Sequence, residues 1–215
     1  MKFYGQWNPP VDKFLWERYF KNRKQGVFVE CGAFDGVLES SCKFFEESME
    51  WWGINFEPVP YIYDRLIKNR PKATNIKKAL SNKNGITRFK QAVSPTIGQM
   101  FGNGSISHND KHLKSLKQEG CKFEEFDVET VRFSDLIYTM NLGEIDLMVL
   151  DVEGHEIEVI EGMEGSAVIP KVFCVEYPHV GLEVLKKKLK PFGYVFDTTS
   201  FNNATFTTPN QESKH

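Results

Sequence analysis

Short apolar runs recur along this chain, and each closes on or beside a carboxylate. Val27-Phe28-Val29-Glu30-Cys31 is the first. Gly53-Ile54-Asn55-Phe56-Glu57, Ile145-Asp146-Leu147-Met148-Val149-Leu150-Asp151 and Val172-Phe173-Cys174-Val175-Glu176 repeat the shape. Such runs suit parallel strands covered on both faces. Their carboxylates then fall at the strand ends, where open parallel sheets bind ligands.

Helical spacing fills the intervals. Residues 40–51 offer Ser40 and Ser41 as caps, carry Phe44, Phe45 and Met49, and stop before Gly53. Residues 60–69 open on Pro60, carry Ile62, Leu66 and Ile67, and stop before Pro71. Residues 155–163 carry Ile157 and Ile160, and residues 180–190 set Leu182, Leu185 and Leu189 on one face with Gly193 beyond. A further strand is expected over residues 74–79. This alternation predicts an α/β domain with a doubly wound, mostly parallel sheet and helices on both faces. Residues 1–25 read as a lead-in helix to a single domain spanning residues 1–215.

Residues 82–128 break the alternation and read as an insertion between the third and fourth core strands. Lys83-Asn84-Gly85 marks a turn, Ile86 to Phe89 a strand, and Gly98 to Asp110 a loop rich in Gly, Asn and Ser. An insertion of this size is a natural carrier of substrate contacts. Tyr194 to Thr208 predicts two strands joined at Asn202-Asn203, an antiparallel pair that completes the sheet. Pro209 to His215 is expected to fray.

Composition narrows the class. The 215 residues suffice for one well-buried core, and 40% hydrophobic with 26% charged residues is ordinary for a globular chain. A net charge of −2 argues against a nucleic-acid partner or an anionic membrane surface. The four cysteines contain no Cys-x-x-Cys pair, so neither a zinc ribbon nor a dithiol redox site is supported. Cys31 and Cys174 lie in apolar runs as small hydrophobes, consistent with a reducing compartment. Met1 to Trp7 lacks an apolar signal core, and no run is long enough to span a bilayer; a cytoplasmic location is the expectation. Lys186-Lys187-Lys188 with Lys190 reads as the solvated face of an amphipathic helix, and Trp51-Trp52 as core at a helix–strand junction.

The informative segment is Glu30-Cys31-Gly32-Ala33-Phe34-Asp35-Gly36. Gly32 permits a sharp turn, and Ala33 and Gly36 keep side chains small where a ligand nears the backbone. A helix N-terminus is expected to follow. Phe34 stands where a dinucleotide fingerprint needs its second glycine, which disfavours a pyrophosphate and an NAD-dependent oxidoreductase. Acids at strand ends suit a cationic ligand instead, and S-adenosylmethionine carries both an ammonium and a sulfonium. Glu57, twenty-one residues after Gly36, is placed to accept ribose hydroxyl protons. The competing reading makes Glu30 and Glu57 merely solvated strand ends.

These residues carry a family resemblance. Gly26 to Gly36, Glu39-Ser40-Ser41, Trp52 to Pro58, Asn69-Arg70, Ala79-Leu80-Ser81, Gly104-Ser105, Phe133-Ser134-Asp135-Leu136 and Leu147 to Glu156 together resemble an FkbM-family methyltransferase. The Glu-x-Gly-Ala-x-x-Gly and Asp-Val-Glu-Gly-x-Glu motifs, in this order, are its most specific parts. The resemblance implies a seven-stranded class I methyltransferase (Rossmann-like) fold and methyl transfer from S-adenosylmethionine to oxygen, often on a sugar or another small hydroxylated acceptor. By position it implies that Glu30, Gly32, Ala33 and Gly36 line the amino-acid part of the cofactor. Glu57, with Pro58 beside it, would hold the ribose. Ala79 and Leu80 would flank the adenine, and Asp151 would stand at the methionine end. Ser41-Cys42 and His155 depart from the family's commoner residues.

Methyl transfer requires an aligned acceptor oxygen and a base near its proton. Asp151, Glu153, His155 and His179 are the candidates. Each has a structural alternative: Glu153 as a helix-terminal acid, His155 as an exposed helix residue, His179 as a loop residue fixed by Pro178, and Asp151 as a ligand-orienting group. Asp151, Glu153 and His155 also form a conceivable divalent-metal cluster, because some oxygen methyltransferases acidify the acceptor with a cation. A third reading keeps the fold and the cofactor site in a non-catalytic binding module.

Overall fold

In the computed structural model, which describes residues 1–209, the apolar runs become the centre of one sheet. They are β1 (Val27–Cys31), β2 (Trp52–Phe56), β8 (Leu147–Leu150) and β9 (Val172–Glu176), and nearly every residue in them is buried. With β3 (Thr74–Ile76), β10 (Val195–Ser200) and β11 (Asn203–Thr207) they form a seven-stranded sheet in the order β10-β11-β9-β8-β1-β2-β3. β3, β2, β1, β8 and β9 are parallel, and β11 runs antiparallel to both neighbours. The turn between β10 and β11 falls at Phe201-Asn202, one residue earlier than expected. Residues 210–215, where fraying was expected, lie outside the described residues.

Two cores flank this sheet. On one face Val29, Ile54, Met148 and Phe173 pack against α5 (Phe133–Met140), α6 (Glu156–Glu161) and α7 (Leu182–Leu189). On the other, Phe28, Val149 and Cys174 meet α2 (Lys43–Met49) and the N-terminal segment. That segment is α1 (Val11–Leu15), running directly into a π-helical turn over Trp16–Phe20. Trp51 is buried here, whereas Trp52 is partly open. α3 (Pro60–Asn69) has the bounds the sequence predicts. α2 is shorter than expected: Ser40 Oγ accepts from Lys43 N at 3.1 Å, and Glu50 closes the helix in a left-handed conformation. The helix therefore begins well beyond the glycine turn.

The segment expected as one strand over residues 74–79 divides. β3 ends at Ile76 in the main sheet, and β4 (Ala79–Leu80) starts a second sheet with β7 (Lys122–Val131), β5 (Gly85–Val93) and β6 (Gly104–Ser105) in the order β4-β7-β5-β6. β5 and β7 pair antiparallel from Gly85↔Thr130 to Val93↔Lys122. Phe89 and Val128 turn inward onto Val59 and Ile62, which seats the second sheet on α3. Its outer face is a ladder of charges, with Arg88 on Glu125 and Asp127 and Lys78 on Glu129. Between β6 and β7 lies α4 (Asp110–Gln118), capped by Asn109, whose side chain accepts from His112 N at 2.8 Å. All four cysteines are buried and unpaired. Among the described residues, no helix is long and apolar enough to cross a membrane.

Candidate functional site

The chain order reverses between β1 and β8, and the crevice beyond their carboxyl ends is where a doubly wound sheet holds ligands. A cleft open to solvent lies there. Glu30, Gly32, Ala33, Glu57, Pro58, Ala79, Leu80, Asp151, Glu153 and His155 all line it. Phe34, Ile62, Phe89 and Ile106 add apolar wall, so both sheets contribute.

The turn after β1 is set by contact. Gly32 has φ +79°, and a Cβ there would lie 1.9 Å from the Asp151 carbonyl oxygen. Only glycine lets the β1 and β8 ends approach this closely. Gly36 is different from the expectation. It lies away from the cleft lining, with φ +77°, and a Cβ would strike Arg70 Cγ at 2.5 Å and Leu66 at 2.7 Å.

Glu30 also departs from a freely ligand-facing acid. Ser40 Oγ donates to it at 2.9 Å, Cys42 N at 3.1 Å and Arg70 Nη1 at 3.2 Å. Arg70 is fully buried, and its Nε donates to Glu46 at 2.5 Å. The carboxylate is thus spent on a buried Glu30–Arg70–Glu46 network that pins the loop after β1 to α3 and α2.

Glu57 is nearly free by contrast. It is buried, its Oε1 accepts from Val59 N at 2.8 Å, and burial pushes its pKa up to about 8, partly opposed by backbone donors from Val59 and Phe34. A buried acid this poorly compensated is an acceptor waiting for donors.

At the far end, Asp151 is open to cleft water while protein crowds its other sides. Crowding, then the charges of Glu153 and Glu156, raise its pKa, and it is hydrogen-bonded to Glu176. Glu176 is raised as well, by burial first and by the charge of Asp151 next. Glu156 Oε1 accepts from Val152 N at 3.2 Å and Gly154 N at 3.1 Å and fixes the turn after β8.

The two histidine candidates separate. His155 is buried, with Nδ1 at 2.7 Å from Ser107 Oγ and Nε2 at 3.0 Å from Ser81 Oγ. Burial lowers its pKa, so the ring is neutral and both nitrogens are occupied. It is neither an exposed helix residue nor available beside Asp151 and Glu153 as a metal ligand, which removes the cluster that the sequence left conceivable. His179 stands outside the cleft lining but places Nε2 2.9 Å from Glu153 Oε2, and that contact raises its pKa.

Sequence reasoning did not select His112, which reaches Glu153 Oε2 at 3.7 Å from α4. The Asn109 cap that starts α4 lies in the stretch read from the sequence as a loop, so His112 carried no signal there. Glu176 was visible as a carboxylate closing a strand, without a pointer to its pairing with Asp151.

The strand order, the single reversed strand β11 and the cleft at the switch point define a class I methyltransferase fold. Residues 30–195 match the family model of the methyltransferase FkbM domain, and the chain belongs to that family. Among characterised relatives, the hexuronic acid methyltransferase AglP of Haloferax volcanii is 26% identical over 129 residues, which cover 60% of this chain and 47% of that one. Methyltransferase 1 of Beauveria bassiana is 28% identical over 119 residues, 51% of this chain and 47% of that one. The aligned stretch thus spans about half the length of each relative. The crystal structure of an FkbM methyltransferase from Methylobacillus flagellatus KT superposes with a TM-score of 0.50 at 11% identity, covering 85% of this chain and 43% of that one.

Proposed function

We propose that this chain is an S-adenosylmethionine-dependent methyltransferase whose acceptor is the hydroxyl of a sugar-like small molecule. The observation that carries the reading is the cleft's polarity: a buried, undercompensated carboxyl at Glu57 and a crowded one at Asp151, with apolar wall along its length. That pattern fits a ligand with a diol, a flat apolar ring and a cationic amino-acid end. The hexuronic acid activity named for the Haloferax volcanii relative supports the acceptor class.

In this reading Glu57 binds the ribose hydroxyls, and Pro58, Ala79 and Leu80 hold the adenine. Gly32 and Ala33 let the amino-acid end approach the backbone. Glu30 acts through Arg70 by holding that loop. When bound, the cofactor supplies an electrophilic methyl group on a sulfonium. Asp151 takes the proton of the acceptor hydroxyl as the oxygen–methyl bond forms and the sulfur–methyl bond breaks. A raised carboxyl pKa suits that task at neutral pH. His155 ties the β8–α6 turn to the second sheet and takes no part in proton transfer.

Calorimetric titration with S-adenosylmethionine, S-adenosylhomocysteine and NAD tests the cofactor. Saturable binding of the two sulfur ligands without NAD is expected. A labelled-methyl transfer screen across uronic acids, neutral sugars and non-sugar alcohols then tests the acceptor. A folded protein that binds neither sulfur ligand would overturn the reading; one that binds them but methylates no acceptor in the panel would make it a binding module.

A further inference from the structure

We infer that His112, Glu153 and His179 form a binding site for one divalent transition-type cation at the acceptor end of the cleft. The three residues come from separate parts of the fold: α4, the β8–α6 turn and the loop after β9. Their ligating atoms nevertheless lie within 4.8 Å of one another. His179 Nε2 is 2.9 Å and His112 Nδ1 3.7 Å from the same Glu153 oxygen. Ligand atoms about 2.1 Å from a shared metal stand roughly 3.0–3.4 Å apart. The set therefore surrounds a space of the right size.

The tautomers supply a second, independent observation. His112 Nε2 lies 3.0 Å from Asn103 Oδ1, an oxygen that can only accept, so Nε2 carries the hydrogen and Nδ1 a lone pair. Nδ1 is the atom turned toward Glu153. A hydrogen bond from the outer ring nitrogen to an oxygen is the usual way a metal-ligating histidine is oriented. His108 Nε2 donates in the same way to the Lys90 carbonyl at 3.0 Å, which leaves its Nδ1 as a lone pair 3.4 Å from His112 Nδ1. His112 Nδ1 thus turns a lone pair toward the Glu153 carboxylate, and His179 Nε2, hydrogen-bonded to the same oxygen, would release its proton to ligate a cation there.

The surroundings agree. Asp151 and Glu176 each bring an oxygen within 4.8 Å of Glu153. Glu156 is fully buried with one oxygen, Oε2, lacking any hydrogen-bond partner. Among the described residues, the ion pairs of Glu153 are with imidazoles alone. Two imidazoles and a carboxylate favour manganese, cobalt, nickel or zinc over magnesium or calcium. The consequence for chemistry rests on the methyltransferase reading: Glu153 lines the cleft beside Asp151, so a cation held there would polarise an acceptor hydroxyl and make its proton easier for Asp151 to take.

The test uses the full chain stripped of metal and titrated with Co²⁺ and Mn²⁺ alone, without cofactor. One saturable equivalent is expected, with visible d–d absorption from Co²⁺ and at least tenfold weaker binding of Mg²⁺. His112→Ala should weaken Co²⁺ binding at least tenfold while S-adenosylmethionine affinity and the thermal transition stay as in the parent. His179→Gln should do the same and serves if His112→Ala misfolds. Absence of saturable binding, or Co²⁺ affinity unchanged in both folded variants, would overturn the site. Metal binding without S-adenosylmethionine binding would leave the site standing and remove the methyltransferase reading; the reverse result would do the opposite.

Discussion

Glu57 offers the sharpest test of how the cleft holds its cofactor. Its carboxyl is 5% exposed, one oxygen takes the Val59 amide, and burial leaves its pKa at about 8. A ribose diol would donate to it twice. Hydrogen bonds to a charged acceptor contribute about 1.5–3 kcal/mol each against about 1 kcal/mol for neutral ones. Glu57→Gln, which keeps the shape and one acceptor, should therefore cost about 1.5–3 kcal/mol, or roughly ten- to hundredfold in Kd. The pH dependence follows from the same shift. Below about pH 8 the free protein holds a proton on Glu57 that the diol must displace, so affinity should rise as pH increases from 6 to 8 and level off above that. The slope is at most about tenfold per pH unit. Stability runs the other way. An acid whose folded pKa is raised from 4.5 to about 8 binds its proton more tightly folded than unfolded, so the ligand-free fold loses stability as pH climbs through that window. Calorimetry in buffers of different ionisation enthalpy reads the released proton directly. Parent-like affinity in Glu57→Gln, or a flat pH profile in the parent, would refute the ribose assignment.

Three other substitutions separate structural from chemical roles. Arg70→Leu strands Glu30 and Glu46 in a buried setting and should cost about 3–5 kcal/mol in urea unfolding; a loss below about 1 kcal/mol would mean the network is not what holds the β1 loop. Gly32→Ala forces a Cβ onto the Asp151 carbonyl oxygen at 1.9 Å and should lower the thermal midpoint and weaken cofactor binding together; an unchanged midpoint would contradict the close approach of β1 and β8. His155→Gln should destabilise by about 1–3 kcal/mol through its lost bonds to Ser81 and Ser107 yet leave the pH profile of turnover in place; a drop of about 10²–10⁴ in rate on a stable fold would instead mark it as a general base.

The main sheet was legible because its strands are buried on both faces, so β1, β2, β8 and β9 are continuous apolar runs without competing signals. The second sheet was not, because its strands are solvated on one side and charged there. β7 reads Lys-Phe-Glu-Glu-Phe-Asp-Val-Glu-Thr-Val, and its inward Phe126, Val128 and Thr130 are diluted by acids whose partners lie on β5 and beyond β3. α4 hid for a related reason: of its apolar residues only Leu116 is buried, and the cap at Asn109 looked like one more polar loop residue. The same limit applies to the site. Gly32 and Glu57 act within a few residues of their own strand ends, so local spacing finds them. Glu30's engagement by Arg70 joins residues forty positions apart, and the approach of His112 to Glu153 depends on α4 being a helix at all.

That dependence bears on where the proposed acceptor would be chosen. In the proposed reading the cofactor half of the cleft is assembled from strand ends of the main sheet, whose geometry the parallel core dictates, with Ala79 and Leu80 added from β4 of the second sheet. The opposite half is assembled from contacts between the second sheet and the β8–α6 turn. Ser105 Oγ donates to the Val152 carbonyl at 3.0 Å, Ser107 meets His155, and Asn109 Nδ2 donates to the His179 carbonyl at 3.2 Å. Gly154 leaves no room for a side chain, since a Cβ would sit 2.8 Å from the Ser107 carbonyl oxygen. Each bond joins the segment that breaks the strand–helix alternation to the residues beside Asp151. Removing residues 94–112 would leave β1, β2 and β8 paired but would strip the cleft of Gly102, Gly104 and Ile106 and take His112 away from Glu153 altogether. On the proposed reading, changes in this strap should therefore alter which hydroxyl is presented to Asp151 while cofactor affinity, assigned to Glu57 and the β1 turn, holds.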